Sequence, residues 1–178
     1  MSRLSTTHEP KTKVETMRRP FIAGNWKMHK TIGECVQLAK LLKVKLADSH
    51  GVDVAVCPPF TAIAATVEVL RGSRIRVGGQ TCHGEASGAF TGEVAAEMLA
   101  NAGATLVILG HSERRQYFAE TDETVNGRLA GALRVGLRPI VCVGETLEQR
   151  EASKTFDVIE RQVRGGLCGF SAAELSDL

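Results

Sequence analysis

Short apolar runs punctuate the chain from residue 21 onward, and between them apolar residues recur at helical spacing. The runs are Phe21-Ile22-Ala23, Val52 to Cys57, Ile75 to Val77, Leu106 to Leu109 and Ile140 to Val143. They are continuous rather than alternating, as expected of parallel strands covered on both faces. After the first run, Ile32, Cys35, Val36, Ala39, Leu42 and Leu46 fall on one helical stripe, with Lys40, Lys43 and Lys45 mostly off it. The spacing predicts helices over 31–47, 93–101, 122–135 and 152–164. Strand starts recur at roughly 20–33 residues, the length of a βαβ unit. The chain therefore reads as α/β, a βα unit repeated about five times.

An open doubly wound sheet and a closed (β/α)-barrel both satisfy this rhythm. After the first strand stands Gly24-Asn25-Trp26-Lys27 rather than a G-x-G-x-x-G turn, which removes the dinucleotide signature and favours the barrel. Residues 1–19 lack the pattern and carry Arg3, Lys11, Lys13, Arg18 and Arg19 against Glu9 and Glu15. They are expected to be a disordered N-terminal extension, with 20–178 a partial barrel domain. An organellar address in 1–19 is the alternative, against which the two glutamates argue.

Composition narrows the function classes. The 178 residues are 43% hydrophobic and 24% charged with a formal net charge of +2, too small a balance to imply nucleic acid or an anionic membrane. No apolar run approaches the roughly 20 residues of a membrane span, and a cytoplasmic location is the expectation. Cys35, Cys57, Cys82, Cys142 and Cys168 form no C-x-x-C pair and match no common zinc spacing, so free thiols are expected.

Polar residues collect directly after the strands: Asn25 and Lys27, then Gln80, then His111 to Arg115, then Glu145 and Thr146. In a barrel that end of the strands holds the active site. Lys27 is a solvated lysine or a compact cation for an anionic substrate. His111 is a buried hydrogen-bonded residue or a neutral electrophile, since Ser112-Glu113-Arg114-Arg115 can open a helix whose N–H groups point at the ring. Arg114 and Arg115 read as a salt-bridged helix start more readily than as a phosphate clamp. Glu145 reads as a structural ion pair more readily than as a base.

Four segments carry a family resemblance. Phe21 to Met28 resembles the opening strand of the triosephosphate isomerases, and Leu109 to Arg115 resembles their histidine loop. Ser87 to Glu93 is similar to their dimerisation loop, and Val141 to Thr146 with Gln149-Arg150-Glu151 to their fifth-strand segment. The resemblance implies a (β/α)8 barrel and the interconversion of dihydroxyacetone phosphate and glyceraldehyde 3-phosphate through an enediolate. It implies that Asn25 and Lys27 bind substrate, that His111 polarises the carbonyl, and that Glu113 pairs with Lys27. It also implies a homodimer, with Phe90, Thr91 and Gly92 at the interface and Thr91 near the neighbour's Asn25. No metal and no organic cofactor is implied.

The family's next strand supplies the catalytic base and opens a lid, through a tyrosine-glutamate-proline-valine-tryptophan-like motif that these residues do not contain. A full barrel takes about 250 residues. The expectation is therefore an incomplete barrel: an open sheet, C-shaped in section, with an exposed apolar inner wall. Ser171 and Glu174 have capping-box spacing, so a further helix is expected to begin there. The alternatives to an isomerase are an inactive fragment serving as a binding or dimerisation module, and another barrel enzyme acting on a phosphorylated sugar.

Overall fold

The computed structural model describes residues 19–176 and Leu178. Apart from Arg19, the expectation for the N-terminal extension lies outside them. The elements in order are β1 (Phe21–Asn25), α1 (Ile32–Lys45), β2 (Asp53–Cys57), a 3-10 turn (Phe60–Ala62), α2 (Ile63–Leu70), β3 (Arg76–Gly79), α3 (Ala96–Asn101), β4 (Leu106–Leu109), α4 (Ser112–Tyr117), α5 (Asp122–Arg134), β5 (Arg138–Val141), α6 (Leu147–Glu151) and α7 (Thr155–Gly166). The strands form one sheet, ordered β1-β2-β3-β4-β5, all parallel, curled into a half-barrel.

The helices start where the sequence offers caps. The Thr31 backbone N–H and hydroxyl both donate to Glu34 at the head of α1, at 2.7 and 2.8 Å. Thr121 and Thr146 cap α5 and α6 reciprocally, each hydroxyl oxygen accepting from the backbone N–H three residues on and each backbone N–H donating to that residue's side chain. Ser171 and Glu174 make their capping contacts too, at 2.6–3.3 Å, but residues 172–176 are turns and not the expected helix. Several predicted boundaries shift. The helix expected over 93–101 begins only at Ala96, because His83 and Ala95 pair as an extended bridge. The helix expected over 152–164 runs from Thr155 to Gly166. The fifth strand begins at Arg138, two residues before the predicted run.

Alternation splits the strand side chains between two clusters. Val56, Val77, Val107 and Leu109 pack with Ala39, Ile63, Leu99, Val125 and Leu129 of the helices. Ala55, Cys57, Leu106 and Ile108 face the concave side and pack with Phe21, Ile140 and Cys142. The middle of the inner wall is thus not the exposed apolar surface expected from an open sheet, since Ala55, Cys57, Leu106 and Ile108 are buried, whereas Phe21, Ile140 and Cys142 toward the two edges are only partly covered. The reason is steric. Gly78 of β3 carries no side chain, and a Cβ there would lie 2.3 Å from Leu106 Cδ1. Leu106 therefore lies across the middle of the curl and closes it. On the opposite face Gly79 makes the same room for Leu99, at 2.6 Å.

Candidate functional site

β1 and β4 end on the same side of the sheet, and their following loops meet. Lys27 follows β1 in a left-handed conformation with φ +52°. Its N–H donates to Asn25 Oδ1 at 2.9 Å, and Gln80 Nε2, beyond β3, donates to its carbonyl at 2.9 Å. The same Gln80 nitrogen donates to Cys57 O at 2.8 Å, tying the Lys27 turn to the end of β2. Both backbone groups of Lys27 are therefore held by side chains. Its ammonium meets Glu113 Oε1 at 2.8 Å, with both side chains nearly half exposed. This contact lowers the Glu113 carboxyl below the usual carboxylate range, the Lys27 hydrogen bond being the largest cause.

His111 is the N-cap of α4, and its Nδ1 accepts from the Glu113 backbone N–H at 3.2 Å. A ring nitrogen that accepts carries no proton, so the ring's single proton belongs to Nε2. Glu113 Oε2 lies 3.5 Å from the same Nδ1. One residue thus touches both partners, its side chain on Lys27 and its backbone on His111. Asn25, Lys27, Gln80, Thr81, His111 and Glu113 line a shared cavity of about 240 Å³.

The other candidates fall outside this cavity or are occupied. Glu145 binds Arg150 at 2.8 Å and Thr155 at 3.3 Å, the structural role that the sequence favoured; the hydrogen bond from Arg150 leads in depressing its pKa. Arg114, which also lines the cavity, pairs with Glu120, and Arg115 with Asp122 at 2.6 Å, so both are salt-bridged helix-start residues. Phe90 stacks on His83 with centroids 4.1 Å apart, while Thr91 and Gly92 stand exposed beyond it. Among the described residues no group of three or more His, Cys, Asp or Glu side chains could hold a metal. No helix there is long and apolar enough to cross a membrane. All five cysteines are free.

Two roles escape a reading of the sequence. Gln80 carries no signal beyond its place after a strand, yet it anchors Lys27. Gln162 of α7 is 5% exposed and bonds both Gly144 N and Gly144 O, at 2.8 and 3.0 Å, fixing the chain just past β5. A polar residue one turn after the buried Val158 is the only hint of it.

A half-barrel of βα units with its ionisable residues gathered beyond the strand ends belongs to the class of (β/α)-barrel proteins. The particular family follows from comparison. The family model described as triosephosphate isomerase matches residues 20–178, and the chain belongs to that family. It is 56% identical over 162 residues to the triosephosphate isomerase of Moorella thermoacetica, covering 91% of this chain and 65% of the relative. It is 52% identical over 162 residues to that of Syntrophotalea carbinolica, covering 91% and 64%. The crystal structure of triosephosphate isomerase from Bartonella henselae superposes with a TM-score of 0.80 at 42% identity, over 88% of this chain and 65% of that one. The chain thus spans about 65% of the length of the curated relatives it matches.

Proposed function

We propose that these residues form the electrophilic half of a triose-phosphate isomerase site that interconverts dihydroxyacetone phosphate and D-glyceraldehyde 3-phosphate. The observation that carries this is the convergence of Lys27 and His111 on Glu113 from two different strand ends. Asn25 and Lys27 bind the substrate, and the Lys27 ammonium offsets its negative charge. His111, with its proton on Nε2, donates to the carbonyl oxygen as that oxygen gains charge, and a donor placed there stabilises the enediolate. A neutral histidine working with a glutamate base is already known for this family.

The carbon-bound proton needs a base within hydrogen-bond reach. Glu113 is engaged by Lys27 and Glu145 by Arg150, so neither carboxylate is free for it. The base is to be sought in the third of the relatives' length that this chain does not span. The same reading makes the working protein a cytoplasmic, glycolytic homodimer without cofactor or metal, with Phe90, Thr91 and Gly92 reaching the neighbour near its Asn25.

A chimera tests the proposal: residues 20–178 continued by the remaining third of the Moorella thermoacetica relative. Turnover of glyceraldehyde 3-phosphate in a coupled assay is expected. A folded chimera without turnover overturns the proposal.

A further inference from the structure

Outside the cavity, the strongest unassigned feature is the half-buried arginine that follows the His111 turn. Arg115 Nε donates to the carbonyl of Gly110 at 2.9 Å, and Arg115 Nη1 donates to Asp122 Oδ1 at 2.6 Å. Both side chains are mostly buried, at 17% and 14% exposure. Gly110 immediately precedes His111 and has φ +68°. A Cβ on it would lie 2.9 Å from Val125 Cγ2, 3.1 Å from Arg115 Nη2 and 3.3 Å from Cys142 O. The peptide that delivers His111 is therefore wedged between α5, the end of β5 and the arginine.

We propose that Arg115, braced by Asp122, is a positioning residue for His111; this rests on the isomerase reading above. Its guanidinium fixes the direction of the Gly110 carbonyl and with it the plane of the following peptide. That peptide begins the His111 residue, whose ring must place one N–H on a reacting oxygen. The fork of the guanidinium matters, because two donors of one rigid plane serve Gly110 and Asp122 together. A lysine keeps the charge opposite Asp122 but cannot hold both acceptors in that geometry. Arg161 also approaches Asp122, at 3.5 Å, yet it is 62% exposed and does not touch Gly110. The positioning thus belongs to Arg115 and not to charge around Asp122 in general.

The chimera carries the test, with Arg115→Lys, Asp122→Asn and Arg161→Ala compared by steady-state kinetics and by nitrogen-15 NMR of the histidine rings. Arg115→Lys is expected to lower kcat about 10–100-fold, the scale of a small misplacement of a catalytic group. KM should change less than about twofold, because no ground-state contact is removed. The His111 signals should lose the pattern of an unprotonated Nδ1 and a protonated Nε2. Arg161→Ala should match the parent in both readouts. A folded Arg115→Lys chimera with parental kcat and parental His111 signals overturns the inference while leaving the isomerase reading intact. If Arg115→Lys does not fold, Asp122→Asn decides on the same two readouts. An inactive parent overturns the isomerase reading, and the His111 signals of the variants then decide the positioning alone.

Discussion

β4 is buried along its whole length, with Leu106, Val107 and Leu109 at 0% and Ile108 at 4% exposure, whereas β1 runs along an edge and leaves Ile22 61% exposed. Each strand delivers one half of the candidate site. His111 follows the packed strand and is set by backbone: it caps α4 and sits behind a wedged glycine. Lys27 follows the edge strand and is set by side chains: Asn25 holds its N–H, Gln80 its carbonyl and Glu113 its ammonium. Placement behind a packed strand needs fewer side-chain contacts, because a close-packed interior already resists movement; there Arg115 on the Gly110 carbonyl supplements the packing. Placement at an edge needs dedicated hydrogen bonds, and the left-handed Lys27 backbone, which costs of order 1–3 kcal/mol, persists because they over-determine it.

The contrast can be broken most severely by removing what lies outside it. The 178-residue chain assayed alone should show no appreciable isomerase activity, since general-base help by itself is worth about 10²–10⁴-fold. Near-parental turnover in a coupled assay of the purified chain would show that one of its own carboxylates serves as base. Next come the two halves themselves. In the active chimera, Lys27→Ala and His111→Gln should each lower kcat by about 10²–10³-fold, the scale of one lost charge-stabilising donor. Turnover unchanged in either variant would remove that residue from the site.

Stability should separate the strands more clearly than activity. Leu106→Ala in β4 should cost about 2–5 kcal/mol in urea unfolding of the chimera, as large-to-small core substitutions do. Ile22→Ala in β1 should cost under about 0.5 kcal/mol if the edge remains exposed as described. A larger loss at Ile22 would show that the edge is covered in the assembled protein, and so would sharpen the comparison rather than end it.

Proton linkage gives effects that show only toward the extremes of pH, and they run in opposite directions. Burial raises the Cys57 thiol, at the end of β2, from 9.0 to about 12. The folded state then holds this proton more tightly than the unfolded state. Stability from this group is full below pH 9 and is lost as pH rises toward 12, at about 1.4 kcal/mol per unit. Glu113 is depressed from 4.5 by Lys27. Its contribution is present above pH 4.5 and is lost as pH falls through the lowered value; for an exposed pair it is small. Urea midpoints measured across pH 3–11 should therefore fall at both ends, more steeply at the alkaline one. Cys57→Ser should flatten only the alkaline limb.

β4 was legible because four apolar residues in a row admit little else. α2 was not. From Ile63 to Leu70 the residues are apolar almost all round apart from Thr66 and Glu68, so no helical stripe stands out between the strands beside it. The fifth strand looked two residues shorter at its start because Pro139 stands in it. Arg138 N and Cys142 N donate to Thr105 O and Leu109 O of the β4 segment, which by the period of two turns the Pro139 nitrogen toward the open edge. A proline is tolerated on that side because no ladder bond is lost there. For the site, His111, Lys27, Asn25 and Glu113 were legible as polar residues just past strands. The grip of Gln80 was not, since nothing local to residue 80 reports a carbonyl that lies 53 positions away in sequence.

The missing side chain at Gly79 ties two positions into one unit of inheritance. A methyl group at 79 would strike the Leu99 side chain, so a lineage can change residue 79 only after residue 99 has become smaller. Gly78, on the other face of the strand, is bound more tightly: a methyl group there would also lie 2.9 Å from the Leu106 carbonyl oxygen, which no change of side chain removes. A collection of related sequences should show alanine at 79 only beside a reduced residue at 99, and glycine kept at 78, however freely the surrounding helices have diverged.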